Sequence, residues 1–316
     1  MPTITLGITY YNEKELLTEC IESVYKQTVL PDEIIVYDDA SRFPAKDYIP
    51  HHPAIPVKII RGKKNIMVSG ARNAIMNAGI SDYIHYQDAD DLFEPFCFEY
   101  LKNTLQKNPV DLVINEVRSV AFEDMKPISG AVMSLETVKK GSLVNFALKG
   151  SLLAPSPTFK KSLGLKLGGY KADKLLQCED FEFSVRLAYY ATNYEIITKP
   201  LIIQRLRKDS MSTDKKELYV EGIKALNFLK AELPEIYHPD IAERGSRMGR
   251  LLYQYGFYEE AKEAFRFANA FQDVPYRNEN MVYQVLSKLL GQYNAEKISS
   301  GYRKLLPFRM RQKFTT

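Results

Sequence analysis

The chain of 316 residues contains no tryptophan, three cysteines and four histidines. Cys20, Cys97 and Cys178 lie far apart and form no Cys-x-x-Cys pair. An odd, sparse count argues against a disulfide framework and for a reducing compartment. His51, His52, His85 and His238 show neither His-Glu-x-x-His nor zinc-finger spacing, so a histidine-rich zinc site is not expected. Neither Gly-x-Gly-x-x-Gly nor the Gly-x-x-x-x-Gly-Lys-Ser/Thr phosphate loop occurs, which leaves dinucleotide and P-loop readings without support. The net charge of +4 does not suggest nucleic acid, which calls for a strongly basic face. No run approaches the ~20 apolar residues of a membrane-spanning helix. Met1-Pro2-Thr3-Ile4 also lacks the charged and apolar regions of a signal peptide. The expectation is a cytoplasmic protein.

What remains reads as globular: 45% hydrophobic and 26% charged residues, in a length that suggests two domains. The first third alternates apolar runs with amphipathic stretches. Strands are expected at Ile4–Thr9, Glu33–Tyr37, Val57–Ile60, Tyr83–Gln87 and Val110–Ile114. Helices are expected at Glu13–Gln27, at Ser69–Ala78 with Ser69 as N-cap and Gly79 as stop, and from Pro95 to Asn108. Short connections between alternating strands and helices mean βαβ units and a mainly parallel sheet. The pattern weakens over Asn115–Pro157, where short strands and a helix near Ser142–Leu148 are expected. It returns with a helix at Cys178–Tyr190 and two short strands around Pro200. From Thr213 everything reads as helix, which puts a boundary near 208–213 and gives two domains, 1–212 and 213–316. Gly256-Phe257-Tyr258-Glu259-Glu260-Ala261, with Ala264 and Phe265, resembles half of a tetratricopeptide repeat, but only one such unit is visible.

The most informative stretch is Gln87-Asp88-Ala89-Asp90-Asp91. Three carboxylates follow an apolar strand, where open α/β sheets bind their ligands. Crowding three negative charges is costly unless a cation joins them, and Mg²⁺ or Mn²⁺ accepts both carboxylate and phosphate oxygens. Alternate residues of an extended segment point to one side, so Asp88 and Asp90 could share a metal–diphosphate. The bland alternative is an acidic turn that caps the next helix. Asp38-Asp39-Ala40-Ser41 ends the second strand either as a turn or as a carboxylate pair that receives base and ribose donors. Thr9-Tyr10-Tyr11-Asn12 ends the first strand, with a tyrosine free either to stack on a base or to pack. Gly70-Ala71-Arg72-Asn73 opens a helix, where the dipole and a guanidinium favour anions.

Taken together, these segments resemble the inverting family-2 glycosyltransferases of the GT-A fold. The match runs through Thr9–Glu13, Ser23–Thr28, Glu33–Ser41, Gly70–Asn73, Asp88–Asp91 and Cys178-Glu179-Asp180 with Arg186, in order from residue 3 to about 212. The resemblance implies a Rossmann-like catalytic domain, followed by an all-helical region outside the core match. It implies a nucleotide-sugar donor, UDP-linked in preference, and an acceptor hydroxyl on a glycan or glycolipid of the cell surface. Thr9, Tyr11, Asn12, Asp38 and Asp39 look like the nucleoside set, and Arg72 like the arginine that helps hold the nucleotide. Asp88, Ala89 and Asp90 correspond to the Asp-x-Asp motif, with Asp90 the metal ligand, aided by Asp88, and Mn²⁺ or Mg²⁺ as cofactor. Asp180 resembles the catalytic base, with Glu179 as its runner-up. By spacing alone, Asp180 is equally a carboxylate favoured by a helix N-terminus.

One departure concerns the family's Arg-x-His-x-x-Ser-x-Ser pattern. Here the stretch is Arg205-Leu206-Arg207-Lys208-Asp209-Ser210-Met211-Ser212, so Arg207 replaces a histidine that can help bind metal. Arginine cannot ligate a metal but can neutralise a diphosphate. The processive Gln-x-x-Arg-Trp motif is absent, which favours single-sugar addition. Two other classes share the features: a non-catalytic nucleotide-binding scaffold, and a sugar nucleotidyltransferase, although Thr9–Leu16 holds neither Gly nor Arg for a phosphate loop. The tail Ser300–Lys313 mixes five basic residues with Leu305, Leu306, Phe308 and Met310. It is either a peripheral contact with an anionic membrane or a solvated basic end.

Overall fold

A computed structural model describes residues 1–128, 135–140, 142–149, 152–207, 214–271 and 281–305. The chain divides into two compact units, Met1–Ser210 and Met211–Thr316. The boundary segment 208–213 and the tail from 306 lie outside the described residues.

The first unit opens as the alternation requires: β1 (Ile4–Tyr10), α1 (Glu15–Tyr25), β2 (Glu33–Asp38), β3 (Val57–Arg61), α2 (Met67–Ala78) and β4 (Tyr83–Asp88). Then follow β5 (Leu92–Phe93), α3 (Cys97–Lys107), β6 (Leu112–Ala121), α4 (Leu143–Leu148), β7 (Pro157–Lys160), α5 (Lys161–Lys166), α6 (Glu179–Tyr190) and β8 (Tyr194–Leu206). All eight strands form one sheet in the order β3-β2-β1-β4-β7-β6-β8-β5. The first four are mutually parallel, β7 runs antiparallel to both neighbours, and β5 is antiparallel to β8. The sheet is therefore mixed, with its parallel half at the N-terminal side.

β1 lies between β2 and β4, and its apolar positions are fully buried. Ile4, Leu6 and Ile8 join Leu17, Cys20, Ile21 and Val24 of α1 and Phe98 and Leu101 of α3 in one core cluster. Gly7 faces the opposite side, where a Cβ would lie 2.6 Å from Ile75 Cγ2 of α2. The missing side chain lets α2 approach the sheet closely.

Two local expectations change, and one short strand is added. Helix α2 starts at Met67, and Ser69 is buried inside it. Asp39 Oδ1 and Asn65 Oδ1 accept from the backbone N–H groups of Ile66 and Met67 at 2.7 and 3.0 Å, so carboxylate and amide side chains from before the helix set its start. The two strands expected around Pro200 are one strand, β8, paired parallel to β6. Its register slips: Asn115 pairs with Ile197, Glu116 with Pro200 and Val117 with Ile202. The slip accommodates the missing proline donor without ending the strand. The two-residue β5 is too short to carry a sequence period.

The described residues of the second unit hold α7 (Lys215–Glu232), α8 (His238–Gln254), α9 (Tyr258–Asn269), α10 (Met281–Leu290) and α11 (Gln292–Leu305). Helices α8 and α9 form a hairpin around Gly256, whose φ of +89° suits glycine. Gly245 and Gly249 of α8 sit against the rings of Phe267 and Phe265, where a Cβ would come within 2.8 and 2.9 Å. Small residues of α8 thus let the aromatic rings of α9 approach its backbone.

Gly7→Ala should lower the unfolding free energy by about 1–3 kcal/mol, because the added methyl must displace Ile75 or α2. Urea titration checks this; an unchanged midpoint would mean that the α2–β1 contact is not close-packed.

Candidate functional site

The carboxyl ends of β1, β2 and β4 lie side by side, with Thr9 paired to both Tyr37 and Asp88 in register. Parallel pairing thus brings Thr9-Tyr10-Tyr11-Asn12, Asp38-Asp39 and Asp88-Ala89-Asp90-Asp91 together.

At the centre is Arg72. It projects from α2, is 2% exposed, and bonds Asp88 Oδ1 through Nη2 at 2.9 Å and Glu179 Oε1 through Nη1 at 3.1 Å. Its guanidinium also lies over the Tyr170 ring, 5.4 Å from the centroid. Thr9 Oγ1 donates to the same Asp88 Oδ1 at 3.2 Å. Arg72 therefore meets carboxylates of the chain itself: the motif after β4 and the motif that opens α6 share one guanidinium. The neighbouring Asn73 fixes the same segment. Its Nδ2 donates to the Tyr170 carbonyl and its Oδ1 accepts from Tyr170 N–H, both at 2.8 Å. Gly169, at φ +68°, passes so close that a Cβ would sit 2.3 Å from Asn73 Oδ1. On the other side, Arg186 of α6 forms a buried fork to Glu182 at 2.7 and 2.8 Å and donates to the carbonyls of Leu167 and Gly169. Two arginines and one asparagine thus clamp the approach to Glu179 and Asp180.

The two acidic neighbours at the start of α6 differ. Glu179 is 7% exposed and committed to Arg72. Burial, with Asp180 alongside, pushes its pKa up to about 7, against the pull of Arg72. Asp180 is partly exposed, and its Oδ1 accepts from Phe181 N–H at 2.8 Å. Burial raises its pKa too, and Arg72 opposes the rise. Cys178 precedes the pair in the left-handed region, φ +60°, and turns the chain into the helix.

The loop after β2 is built on Asp38. Its carboxylate accepts from Ser41 N–H (2.8 Å), Ala45 N–H (3.0 Å) and Arg61 Nη1 (3.1 Å), and it is 1% exposed. Asp39 is likewise buried, with its pKa raised by burial. Asn12, at φ +67°, accepts from Arg42 and Phe43 N–H, which ties the ends of β1 and β2 together. Tyr11 stands out at 51% exposed, with its ring available.

Asp90 is partly exposed and faces Arg207, with Nε 3.5 Å from Oδ2. Burial and the Asp88 charge raise its pKa while Arg207 lowers it. Asp91 is buried and accepts from Arg205 N–H at 2.8 Å, a structural bond that ties β8 to this turn. The Arg205 guanidinium reaches the Asp90 carbonyl and Glu19. The Ala89 side chain belongs to the core, so only its backbone can face a ligand. Among the described residues no group of three or more His, Cys, Asp or Glu side chains is arranged to hold a metal. The donors at hand are Asp88 and Asp90, two carboxylates with strained ionisation on Asp90. That set fits a divalent ion completed by phosphate oxygens, and not one caged by the chain alone.

The sequence model described as Glycosyl transferase family 2 matches residues 5–132. The segment from β1 to β6 is thus similar to that family's domain. Among its relatives is an uncharacterized glycosyltransferase, YwdF, of Bacillus subtilis, 33% identical over 123 residues, which cover 38% of this chain and 44% of that protein. A UDP-Gal:alpha-D-GlcNAc-diphosphoundecaprenol beta-1,3-galactosyltransferase of Escherichia coli is 23% identical over 211 residues, 66% of this chain and 75% of its own. Among solved structures, S. aureus TarS 1-349 in complex with UDP-GlcNAc superposes with a TM-score of 0.68 at 14% identity, covering 97% of this chain and 93% of TarS 1-349. At that identity the likeness is one of fold, a GT-A-like sheet with helices after it. The family domain covers β1 to β6; Glu179, Asp180 and Arg207 lie beyond it.

Three residues of the site are easily passed over in the sequence. Glu13 accepts from Tyr11 N–H, and burial, with Asp90 and Asp88 near, moves its pKa up to about 7. Arg61 occupies the end of β3, the position that strand-end logic would nominate. Tyr170 sits in an irregular stretch that offers no signal.

Glu13 yields a pH prediction. Its folded pKa of about 7 exceeds the ordinary 4.5, so its contribution to stability is present below the lower value and is lost as pH rises through the upper one. Glu13→Gln should therefore lose less stability than the parent between those two pH values. Paired urea titrations across that window check this; parallel curves would refute the assignment.

Proposed function

We propose that the protein transfers a single sugar from a UDP-sugar to an acceptor hydroxyl with inversion at the anomeric carbon, in the synthesis of a cell-surface polysaccharide or glycolipid. The observation that carries this is the Arg72 bridge. It joins Asp88 to Glu179, so that a motif suited to a metal–diphosphate and a motif suited to a base meet at one buried cation. The UDP preference is supported by the donor named for the E. coli relative and by the UDP-GlcNAc complex of TarS.

In this reading Glu179 is occupied by Arg72, and Asp180, more exposed, is the base. Asp180 accepts the acceptor hydroxyl proton as that oxygen forms its bond to the anomeric carbon. The bond from that carbon to the diphosphate oxygen breaks on the opposite face, and its electron pair leaves with the nucleoside diphosphate. A base whose pKa is raised by burial lies nearer the working pH than a free carboxylate. Clamping by Arg72, Asn73 and Arg186 keeps Asp180 in place without spending its oxygens. Tyr11, exposed beside the buried Asp38 and Asp39, offers the stacking face for the base; the loop that Asp38 organises shapes the nucleoside pocket. Arg207, paired with Asp90, supplies positive charge where relatives carry histidine. A divalent ion on Asp90, with Asp88, would act as a Lewis acid toward the departing diphosphate.

Asp180→Asn should lower kcat by about a thousandfold or more while UDP binding stays within about twofold. Tyr11→Ala should do the opposite, weakening UDP binding by about tenfold through lost stacking. Calorimetry with UDP and product analysis by mass spectrometry read both. Equal loss of UDP binding in Asp180→Asn would make that residue part of the donor site. Release of pyrophosphate would indicate nucleotidyl transfer, and no turnover with any UDP-sugar a scaffold.

The metal assignment has its own measurement. EDTA should abolish turnover, Mn²⁺ or Mg²⁺ should restore it, and Asp90→Asn should not respond to either. Full activity in chelator would leave Arg207 as the charge that balances the diphosphate.

A further inference from the structure

Seven of the 21 large hydrophobic residues exposed among the described residues fall within Met281–Tyr302, a stretch that makes up α10 and most of α11. On α10 they recur at helical spacing: Met281, Val285 and Leu289 at every fourth position, with Val282 seven before Leu289. Their exposures run from 49% to 79%. On α11, Ile298 and Tyr302 are likewise four apart and exposed. An apolar stripe of this kind along a helix is normally turned into a core. Here the opposite face already does that work: Tyr283, Ser287, Ala295 and Glu296 are buried.

The charges beside the stripe have one sign. Lys288 and Lys297 are exposed, and the one carboxylate between 281 and 305, Glu296, is buried. From 281 to the end the sequence holds seven Lys and Arg and that single Glu. A second copy of the chain would bring lysines toward lysines with no exposed carboxylate to receive them. A soluble polyanion would answer the lysines but leave the apolar stripe wet. A bilayer with anionic headgroups answers both, since the stripe enters the acyl boundary while the lysines meet the phosphates. No helix among the described residues is long and apolar enough to cross a membrane, so the contact is one of lying on the surface.

We propose that the exposed faces of α10 and α11 form a docking surface for an anionic lipid bilayer. The assignment is independent of the transfer chemistry, and its test uses no turnover.

The full chain is mixed with vesicles of phosphatidylcholine alone or with phosphatidylglycerol, and binding is measured by co-sedimentation. Binding is expected with phosphatidylglycerol, about tenfold or more above phosphatidylcholine, and weaker at high salt. The double substitution Val285→Glu and Leu289→Glu should weaken it by about tenfold or more with an unchanged melting temperature, because both positions are solvent-exposed. Lys288→Glu with Lys297→Glu, which touches no apolar residue, should do the same and stands in if the first pair disturbs the fold. No preference for phosphatidylglycerol, or binding within about twofold of the parent in both double variants, would overturn the proposal. So would loss of binding on removing residues 306–316 while both double variants bind normally, which would put the anchor in the tail. A concentration-dependent dimer that the Val285/Leu289 variant dissolves would give the face to a second copy instead.

Discussion

A buried guanidinium must be surrounded by negative charge, and this requirement organises the catalytic half of the molecule. Arg72 is withdrawn from water, and removing an arginine from water costs several kcal/mol unless carboxylates repay it. Asp88 and Glu179 do so. Because they come from β4 and from the first turn of α6, the chain cannot satisfy Arg72 without also bringing those elements together. The energetic need of one side chain thereby becomes a geometric statement about the whole site. Specificity of arrangement, more than net stability, is what such a bridge contributes.

The same logic separates residues that hold from residues that act. Asp38, Asp91, Glu179 and Glu182 are buried and have their oxygens engaged by N–H groups or guanidiniums of the chain. Tyr11, Asp90 and Asp180 retain exposure at the same strand and helix ends. An open α/β sheet places its ligands at that edge. In Asp90-Asp91 and Glu179-Asp180 one carboxylate thus braces and the other retains exposure, whereas in Asp38-Asp39 both are buried and both brace.

Much of this was legible from pattern. The strands of the parallel half follow from continuous apolar runs, and the position of Asp88–Asp91 just past one of them indicates a site without any coordinates. The helices described after residue 213 follow from their apolar period. Other features were not legible because long-range pairing decides them. Whether Arg72 meets a ligand or Glu179 depends on a partner 107 residues away. Ser69 has the chemistry of a cap, yet Asp39 and Asn65 supply the start of α2 from outside it. Pro200 reads as a break, because no local rule says that a neighbouring strand will tolerate a slip. Tyr170 and Gly169 lie in a stretch with no period at all; their role comes from the side chain of Asn73.

The slip itself has a consequence for how the two faces of β8 are used. Between the pairs Asn115–Ile197 and Val117–Ile202, β8 advances three residues more than β6. In a strand an odd surplus reverses parity, so side chains that would have pointed to one face point to the other. Before the slip β8 gives Ile197 to the core; beyond it Ile202 is still in the core, while the Arg205 guanidinium reaches the Asp90 carbonyl and Arg207 Nε lies 3.5 Å from Asp90 Oδ2. The strand thus serves the core through Ile202 and only its last residues, Arg205 and Arg207, serve the Asp90 turn. Deleting one residue from the surplus would bring Leu206 into the place of Arg205 and withdraw that guanidinium from the Asp90 carbonyl.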